Sequence, residues 1–309
     1  MKAAGVACPF RRWPQGKRMA LVITVDLFDD AAILVQEPRM RGREKSLSVW
    51  QYGARRGVDR LLGLFAQLDL RTSWFVPGSV ALGHGALVQR IHQAGHEIGN
   101  ASFGCENFDL LSLAQQQDSL TAAQAALAQV TGSMPRGFRS PFGNWAPDFT
   151  RCLRAAGIAW SSSWRGDDLP YFHPALGPQG TAQAPLVELP LHYELEDEPY
   201  FSFNLFPPVP AGQPRIASYR EVLGNWRQDF AGFHRFGLCL LLRLHPEIIG
   251  TAARIDVLRE FLVGICAHAD IWPATGLEVA QWWSGQHTVN EPGHPVDLLS
   301  ARHQAALAP

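Results

Sequence analysis

"TSWFVPGSVALGHGALVQRIHQAGHEIGN", residues 72–100, contains the unit from which the fold can be read. "TSWFVPG" (72–78) is a short β-favouring run stopped by Pro77 and Gly78. "GALVQRIHQAG" (85–95) has helical spacing and ends at Gly95, a residue suited to a helix C-terminus. "HEIGN" (96–100) then predicts the next strand. A strand, a helix and a strand in that order predict parallel strands with a helix laid over them.

The alternation continues on both sides. Upstream, "ALVITVD" (20–26) is a strand ending in an acid, and "GVDRLLGLFAQL" (57–68) places Val58, Leu61, Leu62, Phe65 and Leu68 on one helical face. Downstream, "SLAQQQDSLTAAQAALAQVTG" (112–132) predicts a long helix with Ser112 as N-cap and Gly132 at its end. Strands are predicted at "RGFRSP" (136–141), "IAWSSS" (158–163), "LVELPLH" (186–192), "GLCLLLRLH" (237–245) and "DIWPA" (270–274). Helices are predicted at 146–157, at 218–236, around Ile255, Leu258, Phe261, Leu262 and Ile265, and from about Thr275. Irregular stretches run from Asp167 to about Pro185 and over 197–217. Seven or eight β-then-α units can close into a barrel. The expected organisation is an N-terminal extension (1–19), one α/β domain (20–285) and a C-terminal tail (286–309) without a clear period.

Composition narrows the class. The 309 residues are 47% hydrophobic and 18% charged with a net charge of −1, as in an ordinary globular protein. That balance offers no broad attraction to nucleic acid or acidic lipid, and "RMRGREK" (39–45) reads as a solvated loop. No run has the length of a signal-peptide core or a membrane helix. Cys8, Cys105, Cys152, Cys239 and Cys266 form no CxxC pair and suit reduced thiols, so a cytoplasmic location is expected.

In a barrel of this kind the chemistry sits at the C-terminal strand ends. Those ends carry Asp26, the "NASFGC" turn, Arg139, His192 and His245. An acid, a guanidinium and an imidazole are the groups used in acid/base attack on a carbonyl. Alternation puts Arg243 and His245 on one face of their strand and Leu240, Leu242 and Leu244 on the other.

Several stretches resemble the polysaccharide deacetylase (NodB-homology) superfamily, and within it the intracellular allantoinase-like and peptidoglycan-deacetylase-like branch. They are "RMALVITVDL", "SVWQYGARRGVDRLLGLF", "TSWFVPG", "AGHEIGNASFGCENFDLL", "GFRSPFGNW", "DDLPYF", "LVELPLHYELEDEPYF" and "LHPEIIGTAARIDVLREFL". The resemblance implies a distorted (β/α) barrel of about seven parallel strands that hydrolyses an amide-type C–N bond. It also implies a small-molecule substrate, no nucleic-acid or membrane partner, and assembly as a homo-oligomer. It places the catalytic base at Asp26, the base-orienting arginine at Arg139 and the general acid at His245. Asp167, Asp168, Tyr193, Asp197, Tyr200 and Trp145 become candidate substrate contacts. For the loop residues among them, a loop fixed by its own hydrogen bonds is an equal reading.

The chain departs from the family at its metal site. Metal-dependent relatives carry an aspartate just after the base and a His-x-x-x-His pair after the third strand. Here those positions hold Leu27 and Phe28, then Ala101 and Cys105. Leu, Phe and Ala offer no lone pair to a divalent ion, and one thiolate does not make a site. No metal and no cofactor are therefore expected. Three rescues are open: Asp29 or Asp30 swinging in, a His92/His96 pair, and Cys105 as a nucleophile activated by His245. The expectation is metal-independent hydrolysis of an amide, ureide or cyclic imide. The alternatives are a catalytically silent binding or assembly subunit and, third, a metal-dependent N-deacetylase.

Overall fold

The computed structural model describes residues 12–175, 184–202 and 216–307. Cys8 and parts of both irregular stretches lie outside the described residues. The strands are β1 (Met19–Asp26), β2 (Ser73–Val76), β3 (Glu97–Asn100), β4 (Gly137–Phe138), β5 (Trp160–Ser161), β6 (Tyr171–Phe172), β7 (Val187–Glu188), β8 (Cys239–Leu244) and β9 (Ile271–Ala274). They form one sheet in the order β6-β7-β5-β4-β3-β2-β1-β8, with β9 beside the first half of β1. Every pairing is parallel except β6 with β7.

The sheet curls into the expected distorted barrel. Between β7 and β8 the wall is a loop: Glu196 bridges to Arg243, and the Asp197 N–H donates to the Arg243 carbonyl at 3.2 Å. Where about seven parallel strands are expected, the described residues form nine, one of them antiparallel, and β4 to β7 are only two residues long. Prolines explain the brevity of β4, β6 and β7. Pro135 and Pro141 bracket β4, Pro170 and Pro174 bracket β6, and Pro190 follows β7, each removing a ladder donor.

All eight residues of β1 are buried because both faces are covered, which is why the segment reads as a nearly unbroken apolar run. Leu21, Ile23 and Val25 face outward to Leu61, Phe65, Trp226, Leu258 and Phe261 on the surrounding helices. Ala20 and Val22 face inward to Phe75, Trp160, Leu241 and Ala274. Trp160 fits inside because Gly137 and Gly276 lack a Cβ, which would stand 2.6 and 2.1 Å from its ring.

The long helix forms over Leu113–Thr131, with a Ser112–Gln115 capping box at its start and Gly132 at φ 76° closing it. In the opening quotation, the helix expected at 85–95 is Gly85–Gln93, and a second short helix fills Gly78–Gly83. The expected loop at 39–45 runs directly into a helix, Glu44–Tyr52, followed by a π-turn at Gly53–Gly57 and a helix at Val58–Gln67. The tail is more ordered than its sequence predicts. Asn290 accepts from the Phe172 N–H at 2.7 Å and donates to the Phe172 carbonyl at 2.9 Å, covering the edge of β6, and a helix follows at Pro295–Leu307.

Candidate active site

The inward row of β1 runs Ala20, Val22, Thr24, Asp26, so its last member projects into the barrel mouth. Asp26 Oδ1 accepts from Arg139 Nη1 at 2.7 Å, and its Oδ2 accepts from Arg243 Nε at 2.7 Å. Arg139 is fixed on every side. Its Nε and Nη2 donate to the Ser162 carbonyl and hydroxyl at 2.7 Å each, Nη1 also reaches Thr24 Oγ1 at 3.0 Å, and the guanidinium lies 4.2 Å over the Phe75 ring. Arg243 continues the network to Glu196 at 3.0 Å, and Arg165 pairs with the other Glu196 oxygen.

His245 follows β8 on the face of Arg243, while Leu240, Leu242 and Leu244 pack outward, as the alternation predicts. Its Nδ1 is 2.7 Å from Asp197 Oδ1, and its N–H donates to Asp197 Oδ2 at 2.8 Å. Nε2 faces Asp26 Oδ2 at 3.8 Å, beyond hydrogen-bond range. Asp26, Arg139 and His245 thus converge, and Asp197 orients the imidazole.

Burial pushes the Asp26 carboxyl up, but Arg139, Arg243 and His245 outweigh it and hold the pKa at about 2. Burial alone would lower His245, but the Asp197 carboxylate overrides it and raises the imidazole to about 10. At neutral pH the mouth therefore holds an ionised carboxylate, two guanidiniums and an imidazolium. Beside them lies a cavity of about 160 Å3 bordered by Arg139, Arg165, Arg243, Asn144, Trp145 and Trp164.

The other expected contacts divide. Trp145 lines this cavity, and Tyr193 lies under the Arg165 guanidinium at 3.6 Å. Asp168 lies outside the lining and pairs with His192 at 3.0 Å. Asp167 accepts from the Asp168 and Leu169 N–H groups, a loop holding itself in shape. Tyr200 packs against the outer hydrophobic core, also away from the cavity.

The positions where the resemblance places metal ligands carry apolar side chains and one thiol. Phe28 is buried edge-on to His245 with ring centroids 6.5 Å apart, and Ala101 and Cys105 are buried in the inner apolar cluster. Burial raises the Cys105 thiol well above its ordinary range, which disfavours the thiolate needed for ligation or attack. Asp29, Asp30 and His96 each have a partner of their own. Asp29 pairs with His84 at 2.8 Å, and Asp30 accepts from Gln51 at 2.8 Å. His96 accepts from the Thr72 N–H at the opposite end of the barrel, where burial lowers it to about 4. Asp29, Ser102 and Cys105 all hold left-handed backbone (φ 51°, 62° and 60°), a strain concentrated in the loops at the mouth.

Sequence reasoning did not single out Glu196, Arg165 or Glu247. Glu247, two residues after His245, has a buried Oε2 without a hydrogen-bond partner, and burial raises its carboxyl to about 8. The π-turn explains "YGARRG". A Cβ at Gly57 would stand 2.0 Å from the Pro246 carbonyl, and one at Gly53 would stand 2.9 Å from Glu247, so these glycines let the His245 loop sit close.

The sequence profile of the family described as polysaccharide deacetylase matches residues 42–160. A peptidoglycan deacetylase from Helicobacter pylori is 25% identical over 228 residues, covering 65% of this chain and 74% of its own. A crystal structure of a Mycobacterium smegmatis protein assigned to the polysaccharide deacetylases superposes with a TM-score of 0.82 at 29% identity, over 91% of this chain and 96% of that one. Puue allantoinase shares the fold at 22% identity, with a TM-score of 0.76 over 93% of this chain and 97% of its own. Profile, sequence and fold agree with the motifs read above: over residues 42–160 this chain is similar to the polysaccharide deacetylases, and it shares the fold of the solved structures named here.

Proposed function

We propose that this member hydrolyses a non-peptide C–N bond in a small polar substrate without a metal ion, with Asp26 as base and His245 as acid. One observation carries the reading: Asp26, Arg139, Arg243 and His245 form a single buried network at the barrel mouth, while Phe28 and Ala101 put hydrocarbon where relatives place ligands.

A carboxylate held at about 2 is a weak base, far from the working pH that favours proton transfer. The guanidiniums that hold it there are also the groups a substrate carbonyl or ureide would engage. When a substrate takes up part of their hydrogen bonding, the burial of Asp26 gains weight and its pKa rises. Binding thus activates the base. Attack by an Asp26-bound water places negative charge on the carbonyl oxygen beside Arg139 and Arg243, which supply part of the stabilisation a Lewis acid would otherwise give. His245, oriented by Asp197, then protonates the leaving nitrogen.

Three arginines around about 160 Å3 favour a compact, oxygen-rich ring or ureide over a long neutral sugar chain. The fold shared with Puue allantoinase agrees with a ureide-type substrate. The test is turnover by chelator-treated protein over hydantoins, cyclic imides, ureides and N-acetyl sugars. Product that persists after chelation and disappears in Asp26→Asn supports the reading. Ligand binding without product would make the protein a silent homologue, the reading that Phe28 at the mouth favours. Activity that returns only with added divalent ion would make it a metal-dependent deacetylase.

A further inference from the structure

We propose a divalent transition-metal site at the N-terminal end of the strands, made by His234, His268 and Asp270. Among the described residues, these are the three His, Cys, Asp or Glu side chains whose ligand atoms all lie within 4.8 Å of one another. They come from three places in the chain. His234 is in the last turn of the helix Tyr219–Phe236, His268 follows the helix Arg254–Cys266, and Asp270 precedes β9. All three precede the strands they lead into, whereas His245 follows β8. The length of β8, roughly 20 Å, therefore separates this cluster from the mouth.

The spacing is close to that of a bound ion. His234 Nε2 stands 3.0 Å from each Asp270 oxygen. Two ligand atoms about 2.0–2.1 Å from a tetrahedral zinc lie about 3.3 Å apart, so a few tenths of an ångström of opening admits the ion in place of the shared proton. The His268 ring lies with its centroid 5.3 Å from that of His234 and makes no hydrogen bond among the described residues, leaving a nitrogen lone pair free to ligate. Phe230 packs against both imidazoles, tilted to His234 at 5.6 Å and edge-on to His268 at 5.1 Å.

The surrounding cations do not occupy the carboxylate. Arg18 donates to the His234 and Arg235 carbonyls at 2.8 and 3.1 Å, and Lys17 donates to the Ala269 carbonyl at 2.6 Å. The Arg18 N–H also donates to the Asp270 carbonyl at 2.7 Å, so the backbone under the cluster is clamped while its side chains face outward. Two imidazoles and a carboxylate are a zinc, nickel or copper donor set with a position left open to water. An ion there ties the helix Tyr219–Phe236 to the start of β9. It also gives the protein a metal content unrelated to the reaction at its mouth.

Calorimetric titration of the metal-free protein with Zn2+ tests this, with thermal unfolding measured with and without the ion. One equivalent is expected to bind and raise the Tm. His268→Ala, a change at an exposed residue, weakens binding at least tenfold and removes the Tm shift. Asp26→Asn keeps both. No saturable binding in the parent protein, or binding that survives both His268→Ala and Asp270→Asn, overturns the site. Binding lost in Asp26→Asn instead would place the ion at the mouth and overturn both this inference and metal-independent hydrolysis.

Discussion

Replacing Asp197 by Asn removes the charge that holds His245 protonated while leaving a side chain of nearly the same shape. In the parent protein the imidazole is raised to about 10 from its ordinary 6.5. Three to four units at about 1.4 kcal/mol each correspond to roughly 5 kcal/mol, at the upper end of the roughly 3–5 kcal/mol lost on breaking a buried ion pair. With the Asp197 carboxylate gone, burial and Arg243 pull His245 down against Glu198 and the Asp26 carboxylate 3.8 Å away, so its pKa falls from about 10. The linkage has a definite sign. A group raised in the folded state gives its full stabilisation below its unfolded pKa and loses it as pH rises through the folded one. The parent should therefore lose stability from this group between about pH 6.5 and 10. The Asn variant should show a smaller decline over that range. Nitrogen-detected NMR of the imidazole and urea unfolding across that range measure both effects. A parent His245 that titrates near 7, or one unmoved by Asp197→Asn, would refute the reasoning.

Other outcomes follow from the same network. Asp26→Asn should cut turnover by at least about a hundredfold, the low end for losing a general base, and should cost about 3–5 kcal/mol by removing the carboxylate that Arg139 and Arg243 share; turnover is normalised to the folded fraction from circular dichroism. Cys105→Ala should leave turnover within about twofold, because burial keeps its thiol protonated; a large loss in a steady-state assay would restore the nucleophile reading. Gly57→Ala should push on the Pro246 carbonyl 2.0 Å from the new Cβ, costing about 1–3 kcal/mol and lowering kcat through the displaced His245 loop.

Much of the site was legible because strand periodicity is a local property. In β8 a two-residue repeat separates Arg243 and His245 from Leu240, Leu242 and Leu244, and the structure keeps that division. The acid at the end of "ALVITVD" projects into the mouth because the inward row of β1 ends on it. Loops carry no such period. "DDLPYF" and "EDEPYF" look alike, yet the first contributes an antiparallel edge strand and the second contributes the carboxylate that orients His245. Tyr200 was expected at the pocket and packs on the outer core, since nothing local says which way a short helix after a loop will turn.

The sequence by itself determined the β/α alternation, the polar residues at the strand ends, and that Phe28 and Ala101 offer no lone pair to an ion, because those follow from residue type and spacing. Only the tertiary structure decided that two arginines converge on Asp26 and depress it, that Asp197 raises His245, and that His234, His268 and Asp270 meet at the far end. The reason is electrostatic. A charge responds to burial and to partners a few ångströms away, and here Asp197 lies 48 residues from His245 and Arg243 lies 217 from Asp26.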